Sequence, residues 1–302
     1  MRIPFNKIAD TAKLGAATMK ETDEPIRISV FVDTTATKFL IDTVREAFVP
    51  QTTSAIVRVS RLAYAQANIK ADTDIAIVLS CGSDGLQEAV QQVVIGGAPT
   101  VVLAESSVEV PFIKEDTRML GLVASTNKTH LLESLARWIL DRTEKDTAFP
   151  ANFPFMRVAA ANRIIISGVF TNMATGALVF IPGADYPVMA ASQVGMMIQL
   201  ASIFGKPIRL ERGYEAAGIL ASGLVLRSVT RVLCKGAGHY AFAIKALVGA
   251  GGTYAMGRAL CALYERDVDY SRANEAVGSI VSFAKETAGR VKAANVPVSS
   301  AA

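Results

Sequence analysis

Residues 74–105, DIAIVLSCGSDGLQEAVQQVVIGGAPTVVLAE, decide the fold of the first half of this chain. DIAIVLS (74–80) is apolar at nearly every position, as a strand covered on both faces should be. GLQEAVQQVVIGG (85–97) takes a helical spacing and closes on two glycines, which suit a helix C-terminus because they accept backbone conformations that other residues resist. APTVVLAE (98–105) is a second continuous apolar run of strand length. Strand, helix and strand in that order make a parallel crossover unit.

The alternation continues in both directions. IRISVFVD (26–33) is a β-branched run, and TKFLIDTVREAF (37–48) sets Phe39, Leu40, Val44, Ala47 and Phe48 at helical spacing. SAIVRVS (54–60) and RMLGLVAS (118–125) read as strands, and NKTHLLESLARWILDRTEKD (127–146) as an amphipathic helix. The pattern predicts a three-layer α/β domain over 26–146 with a mostly parallel sheet and right-handed crossovers, after a charged lead-in over 1–25. Ligands in such folds sit at the carboxyl ends of the strands. Here those ends read VDTTATK, SCGSDG, AESS and ASTNKT, small polar sequences that suit a pocket or ordinary turns.

Beyond residue 150 the texture changes. Residues 1–150 carry 16 Lys and Arg against 19 Asp and Glu, whereas 151–302 carry 15 against 8. A basic, apolar module beneath an acidic one suits a surface facing anionic lipid, although a half simply poor in acids gives the same balance. Two uncharged runs, 164–184 and 186–205, flank an elbow made by Pro182, Gly183, Ala184, Asp185 and Pro187. As helices each would rise about 30 Å, enough to cross a hydrocarbon core. Arg157 and Arg163 precede the pair and Lys206, Arg209 and Arg212 follow it, the layout of a hairpin with both ends in the cytosol. Ser167, Thr171, Asn172, Thr175, Ser192, Gln193 and Gln199 interrupt the runs, so a hairpin buried in a helical bundle is the alternative. The reading favours membrane association.

The run 216–226 ends at Arg227 and is expected to be too short to span, packing instead on the hairpin. Arg227, Arg231 and Lys235 recur at i, i+4 and i+8, a basic stripe facing either anionic headgroups or solvent. Gly218/Ser222 and Thr253/Gly257 have the spacing that lets helices approach closely. An all-α C-terminal domain with an apolar helical hairpin is therefore expected over 155–270, with a weakly helical to disordered tail over 271–302.

Catalytic chemistry is sparse. A phosphate-binding loop needs glycine amides around the phosphates and a hydroxyl on magnesium, G-x-x-x-x-G-K-[ST]. Aligned on Lys38, this chain has Val32 and Thr37 at the glycines and Phe39 at the hydroxyl, leaving Lys38 as a lone phosphate-binding candidate. Ser83 follows a strand but lacks the G-x-S-x-G elbow, and His130 and His239 are the chain's two histidines. Cys81 at a strand end is a candidate thiol. The glycine-rich 249–257 follows no strand, so it is not a dinucleotide fingerprint. Three widely spaced cysteines without C-x-x-C fit a reducing cytosol and exclude a zinc motif. The N-terminal stretch lacks the apolar core of a signal peptide. No catalytic residue, metal or cofactor is expected.

The layout of 26–145 resembles the G domain of Era-like GTPases, with the nucleotide motifs replaced. FIPGADYPVMAASQVGMMIQLASIFGKP, followed by AAGILASGLVLRSVTRVLCKGAGHYAFAIKALVGAGGTYAMGRALCALYER, resembles the helical domain of YcjF-type inner-membrane proteins, which also follows some Era-like GTPases. That resemblance implies a non-catalytic, membrane-associated scaffold or regulator on the cytoplasmic side of the inner membrane, or in the cytoplasm. Its implied partners are membrane lipids or inner-membrane proteins, with homo-oligomerisation open and nucleic acid not expected. The alternatives are a nucleotide switch using Lys38, or a soluble binder or hydrolase using Ser83 or Cys81.

Overall fold

The computed structural model describes residues 21–63, 69–178, 185–206, 210–235 and 238–266. Five strands, β1 (Ile26–Val32), β2 (Ala55–Arg61), β3 (Ile75–Leu79), β4 (Thr100–Ala104) and β5 (Leu120–Ala124), form one all-parallel sheet ordered β2-β1-β3-β4-β5. Ile28 on β1 lies between Val57 on β2 and Ile75 on β3, which fixes the register at the centre. β3 and β4 are buried at every position, as their unbroken apolar runs require.

Alternate side chains serve opposite faces. Ile75, Ile77 and Leu79 join α1 (Lys38–Ala47) and α3 (Lys128–Leu140) on one face, while Ala76 and Val78 meet α2 (Leu86–Ile95) on the other. The helix starts are local. The Thr37 hydroxyl accepts from the Leu40 N–H, and Asn127 Oδ1 accepts from the His130 N–H at 3.1 Å. Gly85 precedes α2 with φ of 82°, a conformation that favours glycine.

The C-terminal part is helical: α4 (Ala148–Asn152), α5 (Arg157–Leu178), α6 (Asp185–Ile203), α7 (Leu210–Leu233) and α8 (Ala241–Glu265). It joins the sheet through an aromatic cluster in which Phe48 lies 5.2 Å from Phe153 and 5.1 Å from Phe155, centroid to centroid. Fully buried Asn152 fastens the joint. Its Oδ1 accepts from the Thr52 N–H and hydroxyl at 3.2 and 2.6 Å, and its Nδ2 donates to the Ala148 carbonyl at 3.1 Å. The core on the α1/α3 face therefore continues without a break into the helices as far as Tyr264.

Helices α5 and α8 are antiparallel and pack on small residues. A Cβ on Gly257 would sit 2.6 Å from Ile165 Cγ1, and one on Gly249 would sit 3.2 Å from the Asn172 carbonyl oxygen. The Thr253/Gly257 pair singled out by its spacing thus lies against α5.

Several sequence expectations change here. Asp185 and Pro187 belong to the first turn of α6 rather than to a free elbow, since a first-turn proline lacks an N–H that would have had no acceptor anyway. Pro182, Gly183 and Ala184 lie outside the described residues, as does the tail from 267 onward. The segment expected to be too short to span is a 24-residue helix, α7, because Arg227 interrupts hydropathy without interrupting a helix. Within it, Gly213–Leu233 is long and apolar enough by length and composition to cross a membrane, whereas the apolar stretch of α6, Val188–Ile203, is shorter. Lys235 falls past the end of α7, in a turn where its N–H donates to the Val232 carbonyl, so the basic series runs off the helix.

Candidate functional site

Two regions could carry function, the carboxyl edge of the sheet and the outer half of the helical part. The strand order places its topological switch point between β1 and β3, where open α/β sheets hold ligands. Asp33, buried just past β1, accepts from the Thr34 N–H at 2.7 Å, the Thr35 hydroxyl at 2.8 Å and the Ser80 hydroxyl at 2.6 Å. Thr35 Oγ1 in turn accepts from the Cys81 N–H, and Ser80 Oγ from the Gly82 N–H. Just past the end of β4, Glu105 accepts from the Thr37 hydroxyl, while Glu109 accepts from the backbone N–H groups of Glu105 and Ser106. A Cβ on Gly82, at φ of 83°, would lie 2.7 Å from the Glu109 carbonyl oxygen.

The crevice is therefore occupied by its own side chains, and Asp33, Glu105 and Glu109 are carboxylates that a phosphate would meet. The amides of Thr34, Cys81, Gly82, Glu105 and Ser106, which a phosphate would need, already donate to protein oxygens. Lys38 is exposed at the start of α1, and among the described residues no ion pair reaches it. No group of three metal-ligating side chains occurs among the described residues.

Burial pushes the Cys81 thiol above its ordinary value; the backbone N–H groups of Glu105 and Thr37 oppose this, and the Glu109 carboxylate adds to it. The thiolate fraction at neutral pH is thus smaller than for a free cysteine. Alkylation mapped to Cys81 is expected to be slower at pH 7.5 than that of an unstructured cysteine peptide, still climbing where the peptide has levelled off. A rate already level below pH 7.5 would reveal an activated nucleophile and overturn this reading. His130 is exposed in the first turn of α3, and the side chain of His239 lies outside the described residues.

The helical part shows a different anomaly. Its half nearest the sheet is conventional, with Ile165, Met197, Leu200, Ile219, Leu260 and Tyr264 buried. The far half is reversed. Ile166, Phe170 and Met173 lie exposed on α5, Val188 on α6, Val225, Val229, Val232 and Leu233 on α7, and Phe242, Leu247 and Tyr254 on and around the start of α8. Apart from Met196, which is buried at the level of Thr253, the residues buried there are small or polar: Asn172, Ala190, Gln193, Gly195, Gly249 and Thr253.

Those polar residues converge. Asn172 Nδ2 and Gln193 Nε2 both donate to Thr253 Oγ1, at 2.8 and 3.2 Å, and that hydroxyl donates to the Gly249 carbonyl at 2.8 Å. Thr171 and Thr175 donate to the carbonyls of Ser167 and Thr171, one turn back. Most of these polar groups thus find partners inside the helices or between them, whereas Asn172 Oδ1 is buried without a hydrogen-bond partner among the described residues.

The flanking arginines do something else than sequence alone suggests. Half-buried Arg157 donates to the Pro150 and Ala151 carbonyls, and Arg163 donates to the Leu140 carbonyl at 2.7 Å beside Asp141. Both cations complete the C-terminal ends of α4 and α3, where carbonyls have no helical partner. Arg231 and Lys235 remain exposed at the far end of α7; for Arg227 only the backbone is described. No acidic residue occurs between 216 and 264. Comparison of the chain with protein-family models, curated proteins and solved structures returned no match.

Proposed function

We propose that this protein is a non-catalytic scaffold or regulator bound to the cytoplasmic face of a bacterial inner membrane, as its resemblance to YcjF-type proteins implies. The far half of α5–α8 is the lipid-contacting surface, and the α/β domain is a cytosolic reader with a GTPase-like outline. The observation that carries this reading is the reversal of polarity along the helices, with large apolar side chains outside and small or hydrogen-bonded polar ones inside. In water that arrangement forgoes the burial that stabilises an ordinary bundle, at about 25 cal/mol per Å² of apolar surface. In hydrocarbon it is the favoured one, because close packing on small residues and interhelical hydrogen bonds then hold helices together.

The cations fit the same surface. Arg231 and Lys235 stand beside the exposed apolar residues at the end of α7, where an anionic headgroup layer would contribute about 1 kcal/mol per cation. The test is flotation of the full chain with phosphatidylglycerol-containing vesicles. Co-flotation is expected, and a protein that stays in the soluble fraction at every lipid ratio would refute the reading. Arg231→Gln with Lys235→Gln is expected to weaken binding to anionic vesicles by roughly 10- to 30-fold while leaving binding to neutral vesicles unchanged.

The absence of nucleotide chemistry is the second element of the proposal, supported by the self-filled, carboxylate-lined crevice at the β1/β3 switch point. Millimolar GTP or ATP with magnesium is accordingly expected to leave the melting temperature unchanged. A concentration-dependent rise lost in Lys38→Ala would establish the nucleotide switch instead.

A further inference from the structure

Strand β5 forms one edge of the sheet, and its outward backbone groups are covered at one end only. The Met119 carbonyl accepts from the Thr100 N–H and the Ser125 N–H donates to the Ala104 carbonyl. With the ladder in that register, Leu120, Leu122 and Ala124 turn their N–H and C=O groups away from β4. The loop before β5 takes up the first of these. The Leu120 N–H donates to Thr117 Oγ1 and the Leu120 carbonyl accepts from the Thr117 N–H, while the Leu122 N–H donates to Asp116 Oδ1 at 3.1 Å. Among the described residues no partner meets the Leu122 carbonyl or the N–H and carbonyl of Ala124. An open strand edge is a template for another strand.

That open end is one wall of a cleft of about 360 Å³, and α3 is the other. Along α3 and its C-terminal cap, His130, Ser134, Arg137 and Asp141 recur at i, i+4, i+7 and i+11, a stripe about 16 Å long. The carboxylates of the cleft are already matched. Asp116 lies 3.7 Å from Arg142, and Asp141 lies 3.3 Å from Arg163. Arg142 is committed further, donating to the Thr117 carbonyl through Nε and Nη2 and stacking 4.3 Å over the Trp138 ring. Arg137 is exposed, and among the described residues no carboxylate pairs with it; its Nε donates to the Glu133 carbonyl at 3.4 Å. The cleft thus sets an uncompensated cation beside three unpaired backbone groups.

We infer that the cleft between β5 and α3 binds an extended acidic segment of a partner protein, which pairs with Leu122 and Ala124 as a sixth strand. The three free groups suit a strand in either direction, since two alternate residues of it supply two N–H donors and one carbonyl acceptor. Every second side chain of that strand faces α3, where a carboxylate meets Arg137. Five residues of it extend about 17 Å, the length of the stripe on α3. This names the class of segment that the α/β domain, proposed above as a cytosolic reader, recognises; it rests on that role and not on membrane binding.

Titration of the full chain with the capped hexapeptide acetyl-EVEVEV-amide, without lipid, tests this separately from the membrane reading. Saturable binding below about 1 mM is expected, read from the fluorescence of Trp138, the chain's one tryptophan, which lines the cleft. Exchange of the Ala124 amide should slow on binding, while the outward amides of Val57 and Val59 on β2, the opposite edge, keep their rates. Of two alternately N-methylated forms of the peptide, one should lose binding, because methyls replace its bonding N–H groups, and the other should keep it. Arg137→Glu is expected to weaken binding by about tenfold or more and to reverse the preference over acetyl-KVKVKV-amide. The inference is overturned by no binding at about 1 mM, by slowing at Val57 and Val59 instead of Ala124, by equal binding of all three acidic peptides, or by Arg137→Glu binding as wild type does. A chain that is dimeric before peptide is added and monomeric on Ala124→Pro would also overturn it, assigning the edge to a second copy.

Discussion

Phe170→Glu combined with Leu247→Glu is expected to reduce partition onto anionic vesicles by at least about 100-fold, with the melting temperature unchanged within about 2 °C. Phe170 is 61% exposed and Leu247 70% exposed, so neither contributes much to the folded state in water. In the bound state each would be removed from water, a gain of about 1.5–3 kcal/mol per side chain. A carboxylate in its place adds a penalty of about the same size near the interface and more at the bilayer centre. Val59→Glu makes a comparable change on β2 at a position 68% exposed, far from the proposed lipid surface, and should leave binding as it was. Equal losses from all three substitutions would mean that added negative charge, and not the apolar surface, governs the result.

Thr253→Val should lower stability by about 3 kcal/mol, because a buried donor or acceptor stripped of its partner costs about 1–3 kcal/mol. The substitution keeps the shape and removes the one hydroxyl that accepts from both Asn172 and Gln193. Two amide groups are left without that acceptor in a site where Asn172 and Thr253 are fully buried and Gln193 is 3% exposed. Thermal unfolding in detergent or vesicles should show the midpoint fall by roughly 6–12 °C. Thr253→Ser keeps the acceptor and should recover most of the loss. A Thr253→Val protein melting within a degree of wild type would mean that the three residues do not act as one network.

Much of the α/β half was readable because its signals are local. DIAIVLS and APTVVLAE had to be interior strands, since no exposed strand can be apolar at every position, and they are β3 and β4. Thr37 and Asn127 mark helix starts by side-chain chemistry that acts within three residues. The Asp33 network was not readable in the same way. Its members come from positions 33, 35 and 80, and their meeting depends on β3 pairing directly with β1. Small polar strand ends announced polar turns there, and only the sheet order turned them into a closed crevice.

The helical half divides along the same line. Its apolar, acid-poor composition and the close-packing spacing of Thr253 and Gly257 are properties of the linear chain, and so is its helical class. Which helices are exposed is not. Phe170 and Leu200 are equally apolar in sequence, yet one faces outward and the other is fully buried, because burial depends on where partner helices lie. The arginines before the first apolar run looked like membrane-flanking charges until their carbonyl partners at 140, 150 and 151 were in place. By itself, then, the sequence determined the element types and their order, which follow from periodicity and capping over a few residues. The tertiary structure decided the closed crevice, the polar junction at Thr253 and the outward-facing apolar surface, since each joins residues that neither spacing nor composition brings together.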